Sequence, residues 1–270
     1  MTVAFASRIV LVTGASSGIG AELALQFAAA GARVALAARD VPRLEDVAAR
    51  CRAAGGEAFV IGADVSIEHS CRAIIERTVA HYGGIDVLVN NAGLGSSGRF
   101  EDVTDLSIFE TLMRVNYLGS VWCTAHALPH LKKSRGIIVA ISSLAGLTGV
   151  PGRTAYGATK HAMAGFFDSL RIELAGTGVD VTVIYPGFVF SEINRRALST
   201  DGSPFGDRGY KRQQGDTMAT DECCRLILTA VARRDRELVM TWRGKMGRIV
   251  KLMSPALVDR MVRGATRERQ

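Results

Sequence analysis

The chain has 270 residues, 48% hydrophobic and 22% charged, with 29 glycines, 6 prolines and a formal net charge of +7. Those proportions exclude a disordered, collagen-like or coiled-coil chain, and no stretch reaches the roughly 18 apolar residues a membrane-crossing helix needs. The charge sits in a tail, since residues 243–270 carry eight basic and two acidic side chains against 25 and 24 elsewhere, which argues against a nucleic-acid-binding body.

Strand-like and helix-like segments alternate from the start. Residues 8–13 (Arg-Ile-Val-Leu-Val-Thr) are a short continuous apolar run, the pattern of a strand buried on both faces. A helical pattern over 19–30 ends at Gly31, 33–38 is a second strand, and 41–54 is a helix closed by Gly55-Gly56. Strands follow at 57–63, 86–90, 136–142 and 179–185, interleaved with helices at 67–82, 106–131 and 155–175. Such alternation with short turns predicts parallel strands, right-handed crossovers and an α/β doubly wound sheet in a single domain, 1–242. Residues 188–216 mix Gly, Ser, Pro and charges without periodicity and are too long for an ordinary connection, so they read as a lid. Residues 237–242 are a plausible last strand.

The extension 243–270 has its own pattern. Met246, Ile249, Val250, Met253, Leu257, Met261 and Val262 form an apolar stripe, broken at Ser254-Pro255, where a new helix can start with Ser as cap and Pro at its first position. The stripe either closes over the substrate cleft or a neighbouring subunit, or lies on anionic lipid as an interfacial helix. The five cysteines (Cys51, Cys71, Cys123, Cys223, Cys224) are odd in number and form no C-x-x-C. Reduced thiols in a cytoplasmic protein, peripheral on a membrane at most, are expected, with no metal site. Residues 1–7 have no basic region ahead of their short apolar stretch, and the first strong apolar run leads into a glycine turn, so no secretory signal is expected.

The first strand runs into Thr13-Gly14-Ala15-Ser16-Ser17-Gly18-Ile19-Gly20 and then the first helix. A turn without side chains there lets backbone N–H groups approach a pyrophosphate, and the helix dipole favours the anion. The spacing is G-x-x-x-G-x-G; its position between strand and helix makes it more than a lone glycine turn. The second strand ends Ala37-Ala38-Arg39. An acidic residue in this place would bind the ribose 2′-hydroxyl of NAD, whereas Arg accommodates the 2′-phosphate of NADP. Arg39 therefore favours NADP(H) over NAD(H), although Asp40 partly offsets its charge and a solvated Arg–Asp helix start is the plainer reading. Asp64-Val65 after the third strand would lie near the adenine, and an Asp there is also an ordinary turn former.

Tyr156 and Lys160 stand four residues apart, on one face of a helix. A phenol with a pKa near ~10 is a poor base at neutral pH, and a nearby cation lowers it. The pair can then trade a proton with an alcohol or ketone oxygen. Y-x-x-x-K alone also describes a half-buried Tyr beside a snorkelling Lys. Ser143, thirteen residues earlier at the end of the fifth strand, can donate to the same oxygen. Asn116 lies inside a predicted helix, where Asn is a poor helix former, so a local turn contact or a site role must explain it.

Taken in order, Thr13-Gly14-x-x-x-Gly18-x-Gly20, Asp64, Asn90-Asn91-Ala92-Gly93, Asn116, Ser143, Tyr156-x-x-x-Lys160 and Pro186-Gly187 resemble the short-chain dehydrogenase/reductase family over the first 242 residues. The resemblance implies a seven-stranded parallel sheet in a Rossmann fold. It makes Tyr156 the acid/base, Ser143 the group that polarises the carbonyl, and Lys160 the partner of the nicotinamide ribose. It gives Asn116 a water in a proton relay. Cofactor contacts fall by the same resemblance on Gly14, Ser16, Ser17, Gly18, Ile19, Gly20, Arg39, Asp64, Val65, Asn91, Ala92, Gly93, Tyr156, Lys160, Pro186, Gly187, Val189 and Ser191. Ser191 stands where Thr is commoner. A homodimer or homotetramer packed through the helices of Asn116 and Tyr156 is implied. The expected activity is NADP(H)-dependent hydride transfer to or from a secondary alcohol or ketone of a hydrophobic, lipid- or steroid-like compound. The alternatives are a 3-ketoacyl group on an acyl carrier and, in another class, a non-catalytic cofactor-sensing protein.

Overall fold

A computed structural model describes residues 5–189, 193, 195–206 and 217–267, with side chains as far as 263. Seven parallel strands form one sheet in the order β3-β2-β1-β4-β5-β6-β7. They are β1 (Ile9–Thr13), β2 (Arg33–Ala38), β3 (Glu57–Gly62), β4 (Val87–Asn90), β5 (Ile137–Ile141), β6 (Asp180–Tyr185) and β7 (Glu237–Val239). The pleat sends successive side chains to opposite faces. Val10 and Val12 join Leu23, Phe27 and Leu44 in one core layer, while Ile9 and Leu11 join Ile74, Ile75 and Phe167 in the other. Both layers are apolar, which is why these strands read as unbroken hydrophobic runs.

Helices α1 (Gly18–Ala29) and α2 (Val41–Ala53) cover the first face together with α7 (Thr220–Arg233). The second is covered by α3 (Glu68–Tyr82), α5 (Gly119–Ser134) and α6 (Thr154–Glu173). The chain winds outward through β1, β2 and β3, crosses back to β4 beside β1, and winds the other way. That reversal opens a crevice at the carboxyl ends of the strands.

Three elements differ from the sequence expectation, and one begins where the sequence places it. Residues 217–236, for which no element is expected, hold α7, whose Cys223, Cys224, Ile227, Leu228 and Val231 are buried at helical spacing. The helix expected over 106–131 is composite: α4 (Ser107–Leu112) runs through a π-helical turn, Met113–Leu118, into α5. The last strand stops at Val239 rather than 242. Thr241 Oγ1 accepts a hydrogen bond from the Gly244 amide at 3.0 Å and so starts α8 (Trp242–Met253) there. α9 (Pro255–Arg267) begins at the expected proline.

The tail folds back on the body as a helical pair. Lys251 Nζ donates to Leu147 O at 2.7 Å, Arg248 pairs with Glu237, and Val258 is buried. All five cysteines are free and buried. Among the described residues no helix is long and apolar enough to cross a membrane.

Candidate active site

One continuous cleft of about 1840 Å³ runs along the carboxyl ends of the strands. At its centre is the turn between β1 and α1. Gly14 and Gly18 have φ of +66° and +55°, a region that penalises any side chain. A Cβ on Gly14 would lie 2.7 Å from Ala92 Cα, and one on Gly20 would lie 2.4 Å from Asn91 Nδ2. The turn is thus pressed against the loop after β4. Thr13 Oγ1 accepts from the amides of Asn91 and Ala92 at 3.0 and 3.1 Å, and Asn91 Nδ2 donates to Thr13 O and Gly14 O. No side chain caps the first turn of α1, and no acidic residue occupies it. The first backbone amides of α1 are thus left without a side-chain cap or a nearby acid, which suits the pyrophosphate of a dinucleotide.

One end of the cleft is lined by Ala38, Arg39, Asp40, Arg43, Ala63, Asp64 and Val65. Asp40 is committed to its own helix: its carboxylate accepts from the Arg43 amide at 3.2 Å and pairs with the Arg43 guanidinium at 3.5 Å. Arg39 is mostly exposed, and its guanidinium lies 3.9 Å from Asp64. Arg43, which the sequence reading left out, brings a second cation to this end.

The second group gathers around α6. Tyr156, half-buried, starts its first turn with its amide donating to Ser96 Oγ at 3.3 Å. Ser143, in the loop after β5, hydrogen-bonds the phenol and also accepts from the Ala145 amide at 3.2 Å. Burial pushes the phenol above its ordinary pKa, while the Ser143 hydrogen bond and the Arg153 guanidinium pull it down. One turn on, Lys160 is buried, and its Nζ donates to Ile141 O at 2.8 Å and approaches Met163 Sδ at 3.4 Å. Burial brings the ammonium down to about 7. Its Nζ lies 5.7 Å from the Tyr156 ring centroid. A proton donor, a hydroxyl and an ammonium therefore share one wall of the cleft, beside the glycine turn.

Of the predicted site residues, Gly14, Ser16, Ser17, Gly18, Ile19, Gly20, Arg39, Asp64, Val65, Asn91, Ala92, Gly93, Ser143, Tyr156, Lys160, Pro186, Gly187 and Val189 all line this cleft. Ser191 lies outside the described residues. Asn116 is fully buried within the π turn and is not part of the cleft wall. Its Nδ2 donates to Leu94 O and Thr159 Oγ1, both at 2.9 Å, and its Oδ1 accepts from the Leu94 amide at 2.7 Å. Both amide hydrogens are engaged inside the protein, so the side chain pins the loop after β4 to α6. Ser120 Oγ donates to the Asn116 carbonyl at 2.8 Å, satisfying a group in the π turn.

The rest of the cleft lining mixes apolar side chains with arginines, Arg196, Arg243 and Arg263 among them. Leu94, Leu147, Val150, Phe188 and Phe205 are its apolar members, joined by Val258, Met261 and Val262 of α9. The described part of 188–216 is tied to the loop after β4: Leu198 N donates to Gly95 O and Thr104 N to Thr200 O, both at 2.9 Å. Residues 95–104 and 195–206 thus form one backbone-bonded wall. The α9 contribution could have been anticipated from the stripe; the wall depends on long-range pairing that has no local pattern.

Comparison with known proteins agrees with this geometry. Residues 8–202 match the family model for short chain dehydrogenase. An 11-beta-hydroxysteroid dehydrogenase 1A of Arabidopsis thaliana is 37% identical over 257 residues, 93% of this chain and 73% of the relative. A short chain dehydrogenase/reductase from Burkholderia phymatum, solved in complex with NAD, superposes with a TM-score of 0.84 at 25% identity, covering 94% of this chain and 95% of the other. An alcohol dehydrogenase from the archaeon Thermococcus sibiricus, complexed with 5-hydroxy-NADP, superposes with a TM-score of 0.73 at 27% identity, covering 86% and 95%.

Proposed function

The chain belongs to the short-chain dehydrogenase family, and from that premise we propose that it is an NADP(H)-dependent oxidoreductase interconverting a ketone and a secondary alcohol on a hydrophobic, steroid- or lipid-like compound. The observation that carries this reading is the Tyr156–Ser143–Lys160 group on one wall of the cleft, with the glycine cradle beside it and apolar side chains in the lining beyond. The nicotinamide, when bound, supplies or accepts the hydride. The protein orients and moves a proton. In reduction Tyr156 Oη gives its proton to the carbonyl oxygen, and Ser143 Oγ donates a hydrogen bond to the same oxygen. Lys160 raises the positive potential at the phenol and offers a remaining N–H to the nicotinamide ribose. Asn116 acts as a positioning residue that holds Leu94 and Gly93 against α6.

Arg39, with Arg43 beside it, favours the 2′-phosphate of NADP, because Asp40 is engaged as a helix cap. The apolar side chains in the cleft lining (Leu94, Leu147, Val150, Phe188 and Phe205) and the steroid-dehydrogenase name of a relative 37% identical support a lipid-like ketone. The outer side of the tail supports a second contact: Leu252 and Met253 are 84% and 83% exposed among lysines and arginines, a pattern suited to an anionic lipid surface. The family likeness further suggests a homodimer or homotetramer through α5 and α6. A panel assay tests the reading: NADPH oxidation with steroid and long-chain ketones against an acetoacetyl thioester. The expected result is turnover of the apolar ketones at kcat/KM at least tenfold above the thioester. Preference for the thioester would replace it with the ketoacyl reading.

A further inference from the structure

One cation beside the reacting phenol belongs to no motif. Arg153 stands at the N-terminal boundary of α6, three residues ahead of Tyr156, with its Cζ 6.0 Å from the centroid of the Tyr156 ring. It is half-buried and lines the cleft, and a Cβ on Gly95 would come within 3.7 Å of its Nη1. Lys160 approaches the same ring to 5.7 Å. The two cations differ in kind. Burial brings the Lys160 ammonium down to about 7, so its charge varies with pH. A guanidinium keeps its charge at any pH the protein survives.

The other groups facing Tyr156 do not replace it. The loop after β4 offers Ser96, whose Oγ accepts from the Tyr156 amide, and the loop after β5 offers the Ser143 hydroxyl. Arg196 and, from the tail, Arg243, Arg248 and Arg263 share the cleft lining, with Asp102 at its rim. Among the described residues, Arg153 and Lys160 are the cations seen over the Tyr156 ring, and the Arg153 guanidinium pulls the phenol's pKa down.

We infer that Arg153 is a positioning residue for proton transfer, supplying the pH-independent positive charge that stabilises the Tyr156 phenolate. The inference rests on the proposed acid/base role of Tyr156. It assigns the second cation next to that phenol to a residue ahead of the motif rather than within it. A cation near a phenol favours the ionised form, so its removal must move the base-dependent limb of alcohol oxidation to higher pH.

The test is the pH profile of kcat for alcohol oxidation in Arg153→Met, Arg153→Gln and Arg153→Lys. The neutral variants should show the acidic limb displaced upward by about one pH unit. At pH 7 that is roughly a tenfold loss, converging to within about twofold of wild type on the alkaline plateau. Arg153→Lys should recover most of the displacement, and NADPH affinity should stay within about twofold in all three. Should the methionine variant fail to fold, the glutamine variant carries the same readout. An unmoved limb with a raised KM overturns the inference and makes Arg153 a substrate contact. A uniform loss at every pH also overturns it and leaves a structural role. Tyr156→Phe retaining turnover would instead remove the underlying acid/base assignment, a separate outcome.

Discussion

The two ends of the cleft are built differently. The end proposed for the cofactor rests on backbone: glycines with positive φ, amides bonded to Thr13 Oγ1, and strand ends locked in parallel register. The end proposed for the substrate rests on side chains drawn from the loop after β4, residues 195–206 and a helical pair at the far end of the chain. A backbone cradle fails when any atom is added. A wall of side chains fails gradually, one contact at a time. The contrast explains why a constant cofactor and variable substrates share one fold.

The largest effect is expected at the cradle. Gly14→Val places a branched side chain at φ +66° against Ala92, and NADPH binding by fluorescence titration should weaken by at least about 100-fold. A loss below threefold would mean the turn does not hold the pyrophosphate. Next comes Arg39→Ala. One charge-assisted contact is worth about 1.5–3 kcal/mol, so NADPH affinity should fall by roughly 10–100-fold while NADH changes by less than about threefold. Equal losses would contradict the 2′-phosphate assignment.

Truncation after residue 242 removes Val258, Met261 and Val262 from the substrate end. It should raise KM for an apolar ketone by about tenfold and leave NADPH affinity within about twofold. Weakened cofactor binding on truncation would break the division between the two ends. The smallest effect in solution belongs to Leu252→Asp with Met253→Asp, which should leave kcat/KM unchanged while reducing sedimentation with anionic vesicles several-fold. Unchanged sedimentation would contradict the lipid contact.

The same division decides what could be read from sequence. The seven strands, the glycine turn and the Tyr156–Lys160 spacing were legible because each is a local pattern: an apolar run, a residue lacking Cβ, an i,i+4 pair. α7 was legible in principle, since Cys223, Ile227 and Val231 recur at helical spacing, but the charges at Asp221, Glu222 and Arg225 dilute the stripe. The π turn at Met113–Leu118 leaves no trace, because a shift in hydrogen-bond partner changes no residue type. Asn116 drew notice as a poor helix former, but its bonds to Leu94 and Thr159 needed coordinates. The same holds for Arg153 over the phenol and for the wall formed by Leu198 and Thr200.

The central claim is that Tyr156 transfers the proton at a site whose cofactor end stands independently of it. Single-turnover NADPH oxidation with an apolar ketone, measured for wild type and Tyr156→Phe together with NADPH affinity, tests it directly. The account predicts a rate lower by about 10²–10⁴-fold in the variant, with NADPH affinity within about twofold. A Tyr156→Phe protein that still reduces the ketone at the wild-type rate would contradict it.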